Sequence, residues 1–137
     1  MSTTTVHVFS GSFASREDAT DYSEAQWAPE PGEDASEEEY AAWEDSNPAW
    51  AMRDDLGLDY LDHDFIETIR SDEEDKQHIW NYLGGLLRDP ATLERIRAQA
   101  GSANTLVLIF AQALDGAEPD LGSTPKLAFC GTHTAHW

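Results

Sequence analysis

From Leu106 to Phe110 the sequence reads Leu-Val-Leu-Ile-Phe without a polar break, and this run limits how the chain can fold more than any other feature. A strand with one wet face alternates apolar and polar side chains, whereas an unbroken run of strand length suits a strand covered on both faces. The strongly apolar stretch ends at Ala111, far below the ~18 residues that would span a bilayer. Residues 105–114 therefore predict a central strand with packing on either side.

The other elements are read around it. Thr4-Thr5-Val6-His7-Val8-Phe9 is rich in β-branched residues and stops at Gly11, as an opening strand would. Ser15 with Asp18 resembles a capping box before a helix over 16–26, and Ser36 with Glu39 forms a better one before a short helix through Tyr40 and Trp43. Between them Ala28-Pro29-Glu30-Pro31-Gly32-Glu33-Asp34 reads as a surface loop. Asn47-Pro48 suits an N-cap and first helical position, and Gly57 suits the position after the end, which predicts a helix over 48–56. A strand is expected near 64–69.

Ser71 with Glu74 makes a third capping box, before a helix whose Ile79, Trp80, Tyr82, Leu83, Leu86 and Leu87 share one side. The Gly84-Gly85 pair weakens that helix, each Gly costing about 1 kcal/mol relative to Ala. Asp89-Pro90 repeats the cap-plus-proline start, with Leu93, Ile96 and Ala100 on one face and Gly101 beyond the end. Leu127-Ala128-Phe129 falls in a final strand. The sum is an α+β fold: one domain over 1–137, a three- or four-stranded mixed or antiparallel sheet with helices packed on it, and an acidic surface loop near 28–47.

Charge is segregated along the chain. Asp and Glu number 27 against 8 Lys and Arg, a formal charge of −19. Residues 17–75 hold 22 of the acids and two bases, Arg53 and Arg70, while residues 76–137 hold five of each. Such a chain is repelled by phosphate backbones and anionic lipid surfaces, which excludes nucleic-acid and membrane-surface binding. With 40% hydrophobic and 10% aromatic residues it is too apolar for a disordered acidic tail. Halophilic adaptation would spread carboxylates evenly, so their confinement to one stretch points instead to a basic partner.

Cys130 is the only cysteine, so no disulfide can form within the chain, and Met1-Ser2-Thr3-Thr4-Thr5 has neither a basic nor an apolar leader region. A reducing cytoplasm is the expected compartment. Cys130, His133 and His136 are spaced C-x-x-H-x-x-H, but no fourth zinc ligand accompanies them. Asp62-His63-Asp64 has hard-cation ligand types without the Gly and terminal Glu of a calcium loop. Nucleophile elbows, phosphate-cradling loops and dinucleotide fingerprints are all missing, so neither a cofactor nor enzymatic activity is expected. Trp80 reads as core. Trp43 and Trp50 instead flank Glu44, Asp45 and Asn47, and aromatics ringed by carboxylates are what a hot spot for a basic protein requires.

Two segments carry a family resemblance. Val6-His7-Val8-Phe9-Ser10-Gly11-Ser12-Phe13, followed by an acidic helix with Tyr22, resembles the opening of the immunity protein 22 family of bacterial polymorphic toxin systems. Asp55-Leu56-Gly57-Leu58-Asp59-Tyr60-Leu61-Asp62-His63-Asp64-Phe65-Ile66-Glu67 is similar to that family's central acidic and aromatic signature. The resemblance implies a cytosolic antidote that binds and blocks a cognate toxin domain without catalysis. The residues expected to bind it are Asp54, Asp55, Asp59, Asp62, Asp64 and Glu67, with Trp43 and Trp50 as anchors. Asp64 has a structural alternative, its carboxylate satisfying backbone donors at the strand start. Two other functions fit the acidity: a DNA mimic that inhibits a DNA-binding enzyme, and a hydrolase with acid and base among Asp62, Asp64 and Glu67.

Overall fold

In the computed structural model, which describes residues 2–73 and 76–136, the apolar run becomes strand β3 (Thr105–Phe110), buried at every position. It pairs antiparallel with β1 (Thr3–Gly11) on one side and β2 (Ile66–Arg70) on the other. β4 (Ala128–His136) pairs with the far edge of β1, giving one antiparallel sheet in the order β2-β3-β1-β4.

Alternation along the two central strands sends their side chains to opposite faces. On one face Val6, Val8, Leu106, Leu108 and Phe110 meet Ile79, Trp80, Leu83 and Leu87 of α4 (Gln77–Leu87) and Ile96 of α5 (Pro90–Ala100). On the other, Phe9, Val107 and Ile109 meet Ala19 and Tyr22 of α1 (Arg16–Ser23), Met52 of α3 (Ala51–Asp55), and Trp50 and Leu61. Each cluster gathers twelve buried residues among those described, so the acidic layer packs as much core as the neutral one. Burying one Leu- or Ile-sized side chain is worth about 1.5–3 kcal/mol, and both faces contribute on that scale.

Local signals set several boundaries as expected. Ser15 Oγ accepts the Asp18 amide at 3.0 Å, Ser36 Oγ accepts the Glu39 amide at 3.1 Å at the start of α2 (Glu37–Ser46), and Asp89 accepts the amides of Ala91 and Thr92 ahead of α5. Gly84 lets α4 and α5 approach, because a Cβ there would stand 3.0 Å from a Leu93 methyl.

Other boundaries differ. α1 ends at Ser23, because the chain turns out of the helix to pair Gln26 with Ala49. The helix expected over 48–56 runs only from Ala51 to Asp55: Asn47 closes α2, its Nδ2 donating to Trp43 O at 2.8 Å, and the Asn47–Pro48 peptide is cis. β2 starts at Ile66, after a 3-10 turn over His63–Phe65. α4 starts at Gln77; Ser71 Oγ accepts the Glu73 amide, and Glu74, its expected partner in the capping box, lies outside the described residues. The apolar run leaves the sheet at Ala111 for a 3-10 turn. β4 is longer than expected, with Cys130 and Gly131 both opposite Val8 in a β-bulge. Gly131 takes φ +97°, and the His133 ring covers it so closely that a Cβ would lie 2.9 Å from Nε2.

Candidate partner-binding groove

The Gln26–Ala49 bridge closes the base of an excursion, with backbone bonds of 2.8 and 2.9 Å. Residues 27–48 carry eight acids and no base, and α2 within them buries none of its residues. Aromatic rings and one amide hold this segment in place of a core. Trp43 packs between Trp27 and Tyr40, with ring centroids 5.9 and 5.6 Å away, and its indole donates to Ala28 O at 3.0 Å. Asn47 Oδ1 accepts the Ala28 amide at 2.8 Å. The Tyr40 hydroxyl donates to Glu30 at 2.5 Å, and that bond holds its pKa above the ordinary value.

Beside this excursion runs a groove of about 310 Å³ walled by Trp27, Pro48, Arg53, Asp59, Tyr60, Asp62 and His63, with buried Trp50 and Leu61 also lining it. An adjoining hollow of about 250 Å³ between Glu24 and Ile66 shares Trp27 and His63 with it. Two bonds set the turn that presents the carboxylates: the Asp62 amide donates to Ala113 O at 2.9 Å, and Asp62 Oδ1 accepts the Asp64 amide at 3.0 Å. The backbone donor at the strand start is thus satisfied by Asp62, not Asp64, whose carboxylate lies 3.3 Å from His63 Nε2. Arg53 stacks over Trp50, 6.0 Å from the ring centroid, and pairs with Asp54 at 3.6 Å.

The expected binding residues divide. Asp59 and Asp62 line the groove and Asp64 stands exposed beside it. Asp54 and Asp55 are exposed at the end of α3, where Asp55 accepts the Tyr22 hydroxyl at 2.7 Å. Burial, with Asp55 adding to it, pushes that hydroxyl up to about 12. Glu67 is turned to the α4 side of the sheet and accepts from the Tyr82 hydroxyl, itself pushed up to about 12 by burial and by Glu67. That orientation removes Glu67 from the group around Asp62 and Asp64 that acid/base hydrolysis would need.

Trp43 is half-buried in its aromatic cluster. Trp50 is not a surface anchor: it is 3% exposed and donates its indole N–H to Ser23 O at 2.9 Å, so its ring belongs to the core. The most exposed rings among the described residues are Trp27, 60% accessible, and Tyr60, 54% accessible, neither of them among the expected anchors. Their place inside the acidic half was a signal, but Trp27 follows directly on the Gln26–Ala49 bridge, a pairing between distant residues that no local pattern encodes.

Among the described residues, Asp62, His63 and Asp64 bring potential metal-ligand atoms within 4.8 Å of one another. Cys130, His133 and His136 do not converge in this way. Cys130 Sγ is buried 3.4 Å from Ser10 Oγ, burial pushes its pKa up, and His133 Nε2 lies 2.9 Å from Cys130 O. No helix among the described residues is long and apolar enough to cross a membrane. Protein-family models, curated proteins and solved structures were all compared with the chain, and none matches.

Proposed function

We propose that this protein is an immunity-type inhibitor, acting in the cytoplasm, that binds a basic toxin effector and neutralises it by stoichiometric occlusion without catalysis. The observation that carries this proposal is the groove, where two widely exposed aromatic rings stand beside Asp59 and Asp62 within a half of the chain bearing 22 acids and two bases. Exposed Trp and Tyr supply anchoring area at little conformational cost, and surrounding carboxylates steer a cationic partner, raising association rates towards ~10⁸–10⁹ M⁻¹s⁻¹. A toxin that cleaves nucleic acid must present basic groups to phosphates, and an inhibitor covering that surface should be acidic. The resemblance of residues 5–70 to immunity protein 22 points the same way.

The proposal requires a basic toxin domain encoded beside this gene, and co-expression with that domain tests it. Cells should survive, and the two chains should co-purify at one-to-one stoichiometry in a complex weakened by salt. Death of the cells, with no complex in pull-down, would refute it.

A further inference from the structure

The groove is small enough to ask what single group it accepts. Its 310 Å³ corresponds to about ten water molecules at ~30 Å³ each, which admits one long side chain, whereas a helix about 10–12 Å across does not fit. Trp27 and Tyr60 offer π faces, and Asp59 and Asp62 offer carboxylate acceptors. An aromatic face joined to carboxylates is a receptor for an organic cation: the ring quadrupole attracts the charge while the carboxylates accept its N–H donors. The protein already uses this arrangement on itself, since Arg53 in the groove wall lies over Trp50 and pairs with Asp54 outside the groove. An anionic side chain would be repelled, and a neutral one would leave the two carboxylates without new partners.

Resting on the inhibitor assignment above, we infer that this groove captures one cationic side chain of the protein partner, an arginine or a lysine, against Trp27 and Tyr60 with Asp59 and Asp62 as acceptors. Arg53 then acts as a selectivity element, a like charge that the incoming cation has to approach.

The test uses the full chain with 15N-labelled tryptophan, titrated with N-acetyl-arginine amide, N-acetyl-lysine amide and the uncharged isostere N-acetyl-citrulline amide. The Trp27 indole signal should shift saturably with at least one of the two cations, and the tighter of these identifies the preferred head group. Citrulline should bind at least about fivefold more weakly than arginine or not at all, the range expected when a cation–π contact is lost. Trp27→Ala and the double variant Asp59→Asn/Asp62→Asn should each weaken cation binding by a similar factor, and Arg53→Gln should tighten it. Equal binding of citrulline, unchanged affinity in Trp27→Ala as followed on the Trp50 indole in the groove lining, weaker binding in Arg53→Gln, or a shift of the Trp43 signal with Trp27 unmoved would each overturn the inference. Co-purification with the toxin domain separates the two levels. If it persists undiminished in Trp27→Ala and Asp59→Asn/Asp62→Asn, the groove assignment falls and the inhibitor assignment stands; if wild type itself captures nothing, the inhibitor assignment falls.

Discussion

Helices α4 and α2 have 11 and 10 residues, yet they relate to the rest of the molecule in opposite ways. α4 buries Ile79, Trp80, Leu83 and Leu87 against the sheet, whereas α2 buries nothing and is tied down by its capping serine, by Trp43 and by Asn47. α4 starts at Gln77 after Lys76, an N-cap residue in the left-handed region with no side-chain cap bond, while α2 has a well-formed cap and three glutamates in its first turn. Good local signals thus accompany the helix that contributes least to the core. Where packing is extensive a helix can dispense with caps, and where packing is absent caps and first-turn acids must hold it.

The strongest way to break this contrast is to truncate a side chain on each side. Leu83→Ala should cost about 2–5 kcal/mol and Trp50→Ala about 3–5 kcal/mol in urea unfolding, because both remove fully packed groups. Trp43→Ala should cost less than about 1 kcal/mol globally. If it unfolds the protein as readily as Leu83→Ala, the excursion is part of the core after all. Charge reversal sharpens the placement of the carboxylates. Asp62→Lys, in the groove, should slow partner association about tenfold and flatten its salt dependence. Glu67→Lys, on the α4 side, should do markedly less in the same stopped-flow measurement.

Smaller effects follow. Ser36→Ala should destabilise α2 by about 1 kcal/mol, visible as faster hydrogen exchange over residues 37–46 while the global midpoint stays put. Alkaline titration probes both layers at once, because Tyr22 and Tyr82 belong to opposite faces of the sheet. Their folded pKa values of about 12 exceed the ordinary 10, so the stability they contribute is complete below pH 10 and is lost as pH rises towards 12. Tyr22→Phe and Tyr82→Phe should each flatten the fall of thermal midpoint across that window, and an unaltered slope in either would remove that tyrosine from the account.

How much of this was legible in the sequence depended on the range of the interaction. Ser15, Ser36 and Asp89 were readable because a cap bonds an amide two or three residues away. Leu106 to Phe110 was readable because burial on both faces leaves an unbroken apolar run. Asn47-Pro48 misled, since the same residues that open a helix also close one, and here the asparagine amide reaches back to Trp43 O. Trp50 and Trp27 could not be told apart locally: what buries the first is Ser23 O and the underside of the sheet, distant in sequence. Glu67 looked equivalent to Asp62 until strand alternation turned it to the opposite face. For the candidate site, the acidic region and its turn were legible, but its aromatic anchors and its division of carboxylates were not.

The pairing of β1 carries a consequence for biosynthesis. Val6 pairs with Phe110 and with His133, so the first strand to be made has neither neighbour until β3 and then β4 have left the ribosome. Folding of such non-local sheets is slow, and an unpaired apolar strand is exposed meanwhile. The acidic segment between them is synthesised in that interval, and its like charges would disfavour association of nascent chains while the sheet waits for its central strand. Carboxylates that would serve the finished protein in recognition would then serve the unfinished one as a solubility tag.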